Sequence, residues 1–224
     1  MTVHGEVRVV DDVAVAFAET VADAWRTRPG RGFSLALSGG ETARRCYEFL
    51  ASWQDSPIDW MATELYWGDE RCVPLDHPAS NYRLAAESLL SGVGGVHALF
   101  PMRADDGADA YHLLLSSVGQ IDVIHLGLGA DGHTASLFPG SPALDADPGR
   151  LVVANEDPAD TNPYPRLTLT HAGIARGREV VVTVSGADKA PAFDAVRRGV
   201  DVPASRIRAE RVIWLVDPAA AGED

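Results

Sequence analysis

Short runs of apolar and β-branched residues recur along the chain at positions 6–10, 33–37, 64–67, 121–126, 179–184 and 212–216. Each has the length of a strand and too little alternation to leave one face in water, as expected of strands buried on both sides. Between them, apolar positions return every three to four residues over 13–26, 42–51, 80–90, 108–117 and 187–198, the period of helices that bury one face. This alternation predicts an α/β fold with a mostly parallel sheet and helices on both faces. Ligands of such sheets collect at the carboxyl ends of the strands, so the strand-to-helix turns are where chemistry is expected. Turn-rich stretches at 74–78 and 92–95 are too short to link domains, whereas 145–165 has the length of an active-site loop or lid.

Composition narrows the picture. The 224 residues are 46% hydrophobic and 23% charged, ordinary for one globular domain over 1–224. No apolar run approaches the roughly 18 residues of a membrane span, and the start of the chain lacks the features of a signal peptide, so a cytoplasmic protein, monomeric or weakly self-associating, is expected. A formal net charge of -13 repels nucleic acid and requires any anionic ligand to find a local basic pocket. Cys46 and Cys72 have no spacing that suggests zinc or a disulfide framework, and the histidines show no metal-ligand pairing, so no metal is required. His125, inside an apolar run, is expected to be hydrogen-bonded in the core.

Each turn is then weighed on its residues. Ser38-Gly39-Gly40-Glu41-Thr42 follows a strand and opens a helix, so free N–H groups and the helix dipole favour an anion such as phosphate; the alternative is a tight turn capped by Thr42. In Trp67-Gly68-Asp69-Glu70-Arg71 the arginine has the fork geometry for phosphate oxygens, with Asp69 and Glu70 fixing it or meeting sugar hydroxyls; a solvated surface cluster is the alternative. Ser80 reads as a helix cap, since nothing nearby supplies the base a nucleophilic serine needs. Lys189 follows another strand end, either solvated or facing the same ligand.

The most informative turn runs from Gly127 to Gly140. Gly127, Gly129 and Gly132 satisfy the dinucleotide pattern G-x-G-x-x-G, but Pro139 and Gly140 stop any following helix within two turns, which discounts a nicotinamide cofactor. What remains is Asp131-Gly132-His133 at a strand end, where a carboxylate can orient an imidazole for proton transfer. An aspartate cap beside an incidental histidine is the alternative.

Taken together, the motifs Ser-Gly-Gly-x-Thr, Trp-x-Asp-Glu-Arg-x-Val-Pro, Ser-Asn-Tyr, Gly-x-Gly-x-Asp-Gly-His-Thr-Ala-Ser-Leu-Phe-Pro-Gly, Arg-Leu-Thr-Leu-Thr and Ala-Asp-Lys-Ala resemble the 6-phosphogluconolactonase family, in order from Ser38 to Lys189. The likeness continues through Pro203-Ala204-Ser205 and Trp214-Leu215-Val216-Asp217. It implies hydrolysis of 6-phospho-D-glucono-1,5-lactone without a cofactor, in the oxidative pentose phosphate pathway. The implied fold is a modified Rossmann-like three-layer sandwich shared with glucosamine-6-phosphate deaminase and ribose-5-phosphate isomerase. It also implies that Asp131 and His133 are catalytic, and that Ser38, Gly39, Gly40, Thr42, Arg71 and Lys189, with Arg166 as a neighbour, bind phosphate. Backbone N–H groups of residues 129–132 are candidates for the oxyanion donors. One departure is Ala43, where the family often has proline; this only loosens the first helical turn.

Two competing readings remain. An aminosugar-phosphate deaminase or isomerase would use the same phosphate turn, but the resemblance argues against it. Those enzymes carry Asp-Gly-His-Ile-Ala-Phe-Asn-Glu where this chain has Asp131-Gly132-His133-Thr134-Ala135-Ser136-Leu137-Phe138. A catalytically silent sugar-phosphate binder would have no need of the Asp131–His133 pair.

Overall fold

The computed structural model describes residues 3–223. A seven-stranded sheet forms its centre in the order β1-β10-β9-β6-β2-β3-β5, and every neighbouring pair in it is parallel. Its strands are β1 (Glu6–Val9), β2 (Phe33–Leu37), β3 (Thr63–Trp67), β5 (Ala98–Phe100), β6 (Ile121–Gly127), β9 (Gly177–Val184) and β10 (Arg211–Val216). The long helices are α1 (Val13–Thr27), α2 (Glu41–Ser52), α3 (Asn81–Ala85, continued by a π-helical turn over Ala86–Leu90), α4 (Gly107–Ser117) and α6 (Ala190–Arg198). Two single-turn helices, α5 (His171–Ile174) and α7 (Pro218–Ala221), complete the set.

The expected strands are all present; β2 is buried at every position and β6, β9 and β10 at nearly every one, but β1, expected to be buried, is an edge strand with no buried residue. Helices α1 and α2 pack on each other, and α1 crosses over β6, β9 and β10 on its way from one edge of the sheet to β2. From β1 through β5 the chain steps in one direction across the sheet; from β5 through β6, β9 and β10 it steps back. Right-handed crossovers then place α1, α2 and α3 on one face and α4 and α6 on the other, giving the three layers.

Strands with little pattern were missed from the sequence. A second, three-stranded antiparallel sheet joins β4 (Asp69–Arg71), β8 (Arg166–Leu169) and β7 (Val152–Asn155). The stretch 145–165 is therefore not one long loop: β7 occupies its middle. At Gly68 the chain passes from one sheet to the other, with the Gly68 N–H donating to the Leu37 carbonyl at 2.8 Å and the Leu169 N–H donating to the Gly68 carbonyl at 2.8 Å. This join brings β4 to the carboxyl ends of β2 and β3. No helix among the described residues is long and apolar enough to cross a membrane.

Strands β2 and β6 leave toward opposite faces, which makes the seam between them the reversal point of the sheet. Their registered pairing is short, Leu35 with Val123 and Ala36 with Ile124. The Asp122 carboxylate reinforces it by accepting from the Ser34 N–H at 2.9 Å and the Ser34 hydroxyl at 3.1 Å. Hydrogen bonds to a charged group contribute about 1.5–3 kcal/mol. Asp122→Ala is expected to lower the thermal midpoint by roughly 4–10 °C at this chain length, read by calorimetry.

Candidate functional site

The carboxyl ends of β2, β3, β6 and β9 open into a cleft of about 710 Å³. Ser38, Gly39, Gly40, Thr42, Arg71, Asp131, His133 and Lys189 all line it, so residues far apart in sequence meet as the motif order implied. Arg166 does not reach its wall.

The turn after β2 leaves donors free that an anion could accept. Gly40 is the N-cap of α2 at φ 94°, a left-handed conformation that favours glycine, and no side chain caps the helix. Thr42 lies inside the first turn and is not the cap. The free N–H groups of that turn therefore face the cleft at the positive end of the helix dipole. Gly39 is required by space: a Cβ there would lie 1.9 Å from Asn81 Oδ1.

The turn after β6 holds the titratable pair. His133 Nδ1 lies 2.6 Å from Asp131 Oδ1, which also accepts from the His133 backbone N–H at 3.1 Å. Burial opposes ionisation of Asp131, but the hydrogen bonds from the His133 ring and backbone outweigh it and hold the carboxyl below its usual range. With Nδ1 engaged, Nε2 is left for a ligand or water. The edge of Phe138 supports the ring at a centroid distance of 5.1 Å. Gly129 admits this arrangement, since a Cβ there would lie 2.1 Å from Nδ1. No helix follows: residues 134–137 form a turn closed by a bridge between Thr134 and Leu137, with Ala135 at φ 47°. Of the expected oxyanion donors, Gly129 N–H donates to the His133 carbonyl at 2.8 Å and Gly132 N–H to the Gly129 carbonyl at 3.0 Å. Only Ala130 and Asp131 keep N–H groups without a backbone acceptor among the described residues.

The acidic neighbours of Arg71 do not fix its side chain. Glu70, 1% exposed, accepts from the N–H groups of Arg71, Asn81 and Tyr82 and from the Ser80 hydroxyl, and so anchors the start of α3. Burial raises its pKa, which those hydrogen bonds only partly offset. Asp69 accepts from Ser136 Oγ at 2.6 Å and Asn81 Nδ2 at 3.1 Å. Ser80 is the cap of α3, accepting from the Arg83 N–H at 3.2 Å. Arg71 donates from Nη1 to the Ala79 carbonyl at 2.5 Å, and its Nε has no partner.

Arg166 stands opposite Arg71 in the β4–β8 register, buried, with Nε and Nη1 unpartnered. Desolvation and then the Arg71 charge push its pKa down. Among the described residues Lys189 pairs only with exposed Asp188, 3.2 Å away, a contact of little energy. Arg45, which sequence reasoning passed over, also lines the cleft from α2; its place three residues after Thr42, one helical turn on, was the available signal. Thr161 and Asn162 reach the cleft from a loop folded around Asp157, whose Oδ2 accepts from both backbone N–H groups and both side chains. Among the described residues there is no group of three or more His, Cys, Asp or Glu able to hold a metal ion.

A family model described as glucosamine-6-phosphate isomerases/6-phosphogluconolactonase matches residues 5–214. The 6-phosphogluconolactonase of Synechocystis sp. is 38% identical over 210 residues, covering 85% of this chain and 84% of that protein. The solved 6-phosphogluconolactonase of Trypanosoma brucei superposes with a TM-score of 0.82 at 28% identity, covering 99% of each chain. A monomeric glucosamine-6-phosphate deaminase shares the fold, with a TM-score of 0.81 at 21% identity over 97% of this chain and 99% of that one.

The close approach at Gly129 gives a direct test of the site's construction. Gly129→Ala is expected to push the imidazole off Asp131 while leaving the fold intact. The low-field proton resonance of the Nδ1–Oδ1 hydrogen bond should vanish from the NMR spectrum with the thermal midpoint lowered by no more than about 10 °C, a cost of roughly 3 kcal/mol.

Proposed function

The chain belongs to the glucosamine-6-phosphate isomerase/6-phosphogluconolactonase family, and on that premise we propose that His133 is the general base with which it hydrolyses 6-phospho-D-glucono-1,5-lactone to 6-phospho-D-gluconate. It is a lactone hydrolase of the pentose phosphate pathway. The observation that carries the mechanism is the 2.6 Å contact of His133 Nδ1 with Asp131, in the same cleft as the anion-binding turn of α2.

Asp131 fixes the ring with its proton on Nδ1, so Nε2 is the basic nitrogen. Water gives a proton to Nε2 as its oxygen bonds to the lactone carbonyl carbon, and the carbonyl becomes an oxyanion. When that intermediate collapses, the bond from carbon to the ring oxygen breaks and the ring oxygen takes the proton from Nε2. The new carboxylic acid ionises to the solvent. An imidazole suits both transfers because its ordinary pKa, about 6.5, lies near neutrality.

The phosphate, remote from the reacting carbon, is held by the free N–H groups of Ser38 to Thr42, by Arg71 and by Lys189. Arg166, the buried like charge opposite Arg71 and outside the cleft wall, adds to the positive potential at that end. Anchoring the remote group positions the carbonyl against His133, and binding energy spent that way appears in the rate. The charged substrate does not diffuse across membranes, so the proposal places the enzyme in the cytoplasm with its supply. The rival deaminase carries a carboxylate where this chain has Phe138, whose apolar ring instead lies 5.1 Å from that of His133.

The decisive assay generates the lactone in place with a glucose-6-phosphate dehydrogenase and follows its loss with and without the protein, since the lactone also hydrolyses spontaneously. His133→Ala is expected to lower kcat by about 10²–10⁴-fold, and near-full kcat would remove the base assignment. Lys189→Ala is expected to raise KM with kcat little changed; an unaltered KM would take Lys189 out of the phosphate site.

A further inference from the structure

The steps above leave out a histidine that is tied to the cleft from below. His125 is fully buried in β6, with Nδ1 2.9 Å from the Tyr47 hydroxyl and Nε2 2.9 Å from Thr183 Oγ1. The Phe17 ring lies against it at a centroid distance of 4.1 Å and a tilt of 32°, which fixes the plane of the imidazole. Burial pushes its pKa down to about 3, so the ring is neutral and carries one hydrogen.

The partners of Tyr47 assign the nitrogen that carries it, since the two contacts of the ring itself, both 2.9 Å, fit either tautomer. The Ser38 N–H donates to Tyr47 Oη at 2.7 Å, leaving the tyrosine one proton to give. Within its reach are His125 Nδ1 at 2.9 Å and the Ser38 carbonyl at 3.3 Å, and we assign the proton to the shorter contact. With Nδ1 accepting, the ring hydrogen sits on Nε2 and is donated to Thr183 Oγ1. The hydroxyl of Thr183 then keeps its own hydrogen, for which the described residues supply no acceptor. Thr183 lies in register with Gly127 near the end of β9 and lines the cleft.

We infer that Thr183 touches the substrate, donating its hydroxyl hydrogen to an anionic oxygen, and that Tyr47 and His125 are positioning residues that compel it to donate. A hydroxyl that already accepts a hydrogen bond is a stronger donor, and a donor is what a negatively charged oxygen requires. Two such oxygens exist in the reaction, on the phosphate and on the former carbonyl. Gly127, beneath the His133 turn, and Ser185, on the wall with Lys189, flank Thr183 along the cleft. The inference rests on the lactonase reading for its substrate, while the order of donors beneath the cleft stands apart from it.

Two measurements test it separately. In the wild-type protein with ¹⁵N-labelled histidine, NMR is expected to show His125 as the Nε2–H tautomer. An Nδ1–H tautomer would reverse every donor, spend the Thr183 hydrogen on Nε2 and overturn the inference whatever the activity. In the lactone assay, Thr183→Val, which keeps the shape and removes the hydroxyl, is expected to lower kcat/KM by roughly 10–100-fold, the value of a hydrogen bond to a charged group. Thr183→Ser should stay within about threefold of wild type. A loss expressed in KM assigns the contact to the phosphate and one expressed in kcat to the oxyanion. Wild-type kcat/KM in Thr183→Val, or a Thr183→Ser as impaired as the valine variant, overturns it. Wild-type protein inactive on the lactone would instead sink the functional reading, with the tautomer still deciding the hydrogen-bond order.

Discussion

Every strand of the main sheet points the same way, and the chain reverses its direction of travel across the sheet once, so that β2 and β6 lie side by side but send their chains to opposite faces. The rest of the molecule depends on that constraint. Parallel strands deliver all their carboxyl ends to one edge, and at the reversal the two exiting segments part and leave a crevice. The exit of β2 is the uncapped start of α2; the exit of β6 is the turn bearing Asp131 and His133. An uncapped helix start and a hydrogen-bonded Asp–His pair therefore become neighbours although some ninety residues of chain separate them. The short backbone pairing across the seam is made good at its other end by Asp122 and Ser34, where no ligand competes for the polar groups.

A chain of net charge -13 must keep its own carboxylates away from the cations that serve an anionic substrate. Around Arg71 it does so by occupying them. Glu70 is next to Arg71 in sequence, yet its four hydrogen bonds are directed to backbone and hydroxyl donors around the start of α3. Asp69 is likewise engaged by Ser136 and Asn81. Leaving Arg166 buried without partners for Nε and Nη1 is costly, because desolvated N–H groups of a charged side chain forgo their water. Placed opposite Arg71, it raises the local positive potential, and on the proposed reading the bound phosphate repays part of that cost.

Much of this arrangement was legible in the sequence because it rests on local chemistry. Buried parallel strands announce themselves by unbroken apolar runs such as 33–37 and 121–126, and the glycine turns after them mark the cleft. Strands β4, β5, β7 and β8 were not legible: each spans three or four residues, too few to show a period, and β4 reads Asp-Glu-Arg. Their pairing is decided by tertiary contact across Gly68. The roles of Asp69 and Glu70 were obscure for a related reason. A carboxylate beside an arginine in sequence suggests an ion pair, but successive strand residues face opposite sides, and Glu70 turns to the helix while Arg71 does not. Thr42 illustrates the same limit, since Gly40 is the N-cap, at a φ that glycine adopts freely, and the threonine is left inside the first turn. Thr183 carried no signal of its own, because its partner His125 reads only as a polar residue within a strand.

The turn that carries His133 also limits which donors the cleft has free. Gly129 lets the imidazole and its carboxylate pack directly on the backbone, and the turn holds that shape by donating the Gly129 and Gly132 N–H groups to its own carbonyls. Rigidity at the base is thus obtained with donors that an oxyanion would otherwise use. A donor from elsewhere serves only if it is held as firmly as the base, whether it meets the phosphate or the oxyanion, since a rotating hydroxyl loses in reorganisation what it gains in attraction. Thr183 meets this condition through packing: Phe17 fixes the His125 ring, the ring fixes the hydroxyl, and Tyr47 ties both to the backbone of Ser38, where the anion turn begins. The two ends of the cleft are in this way joined through the core by hydrogen bonds that never reach the solvent.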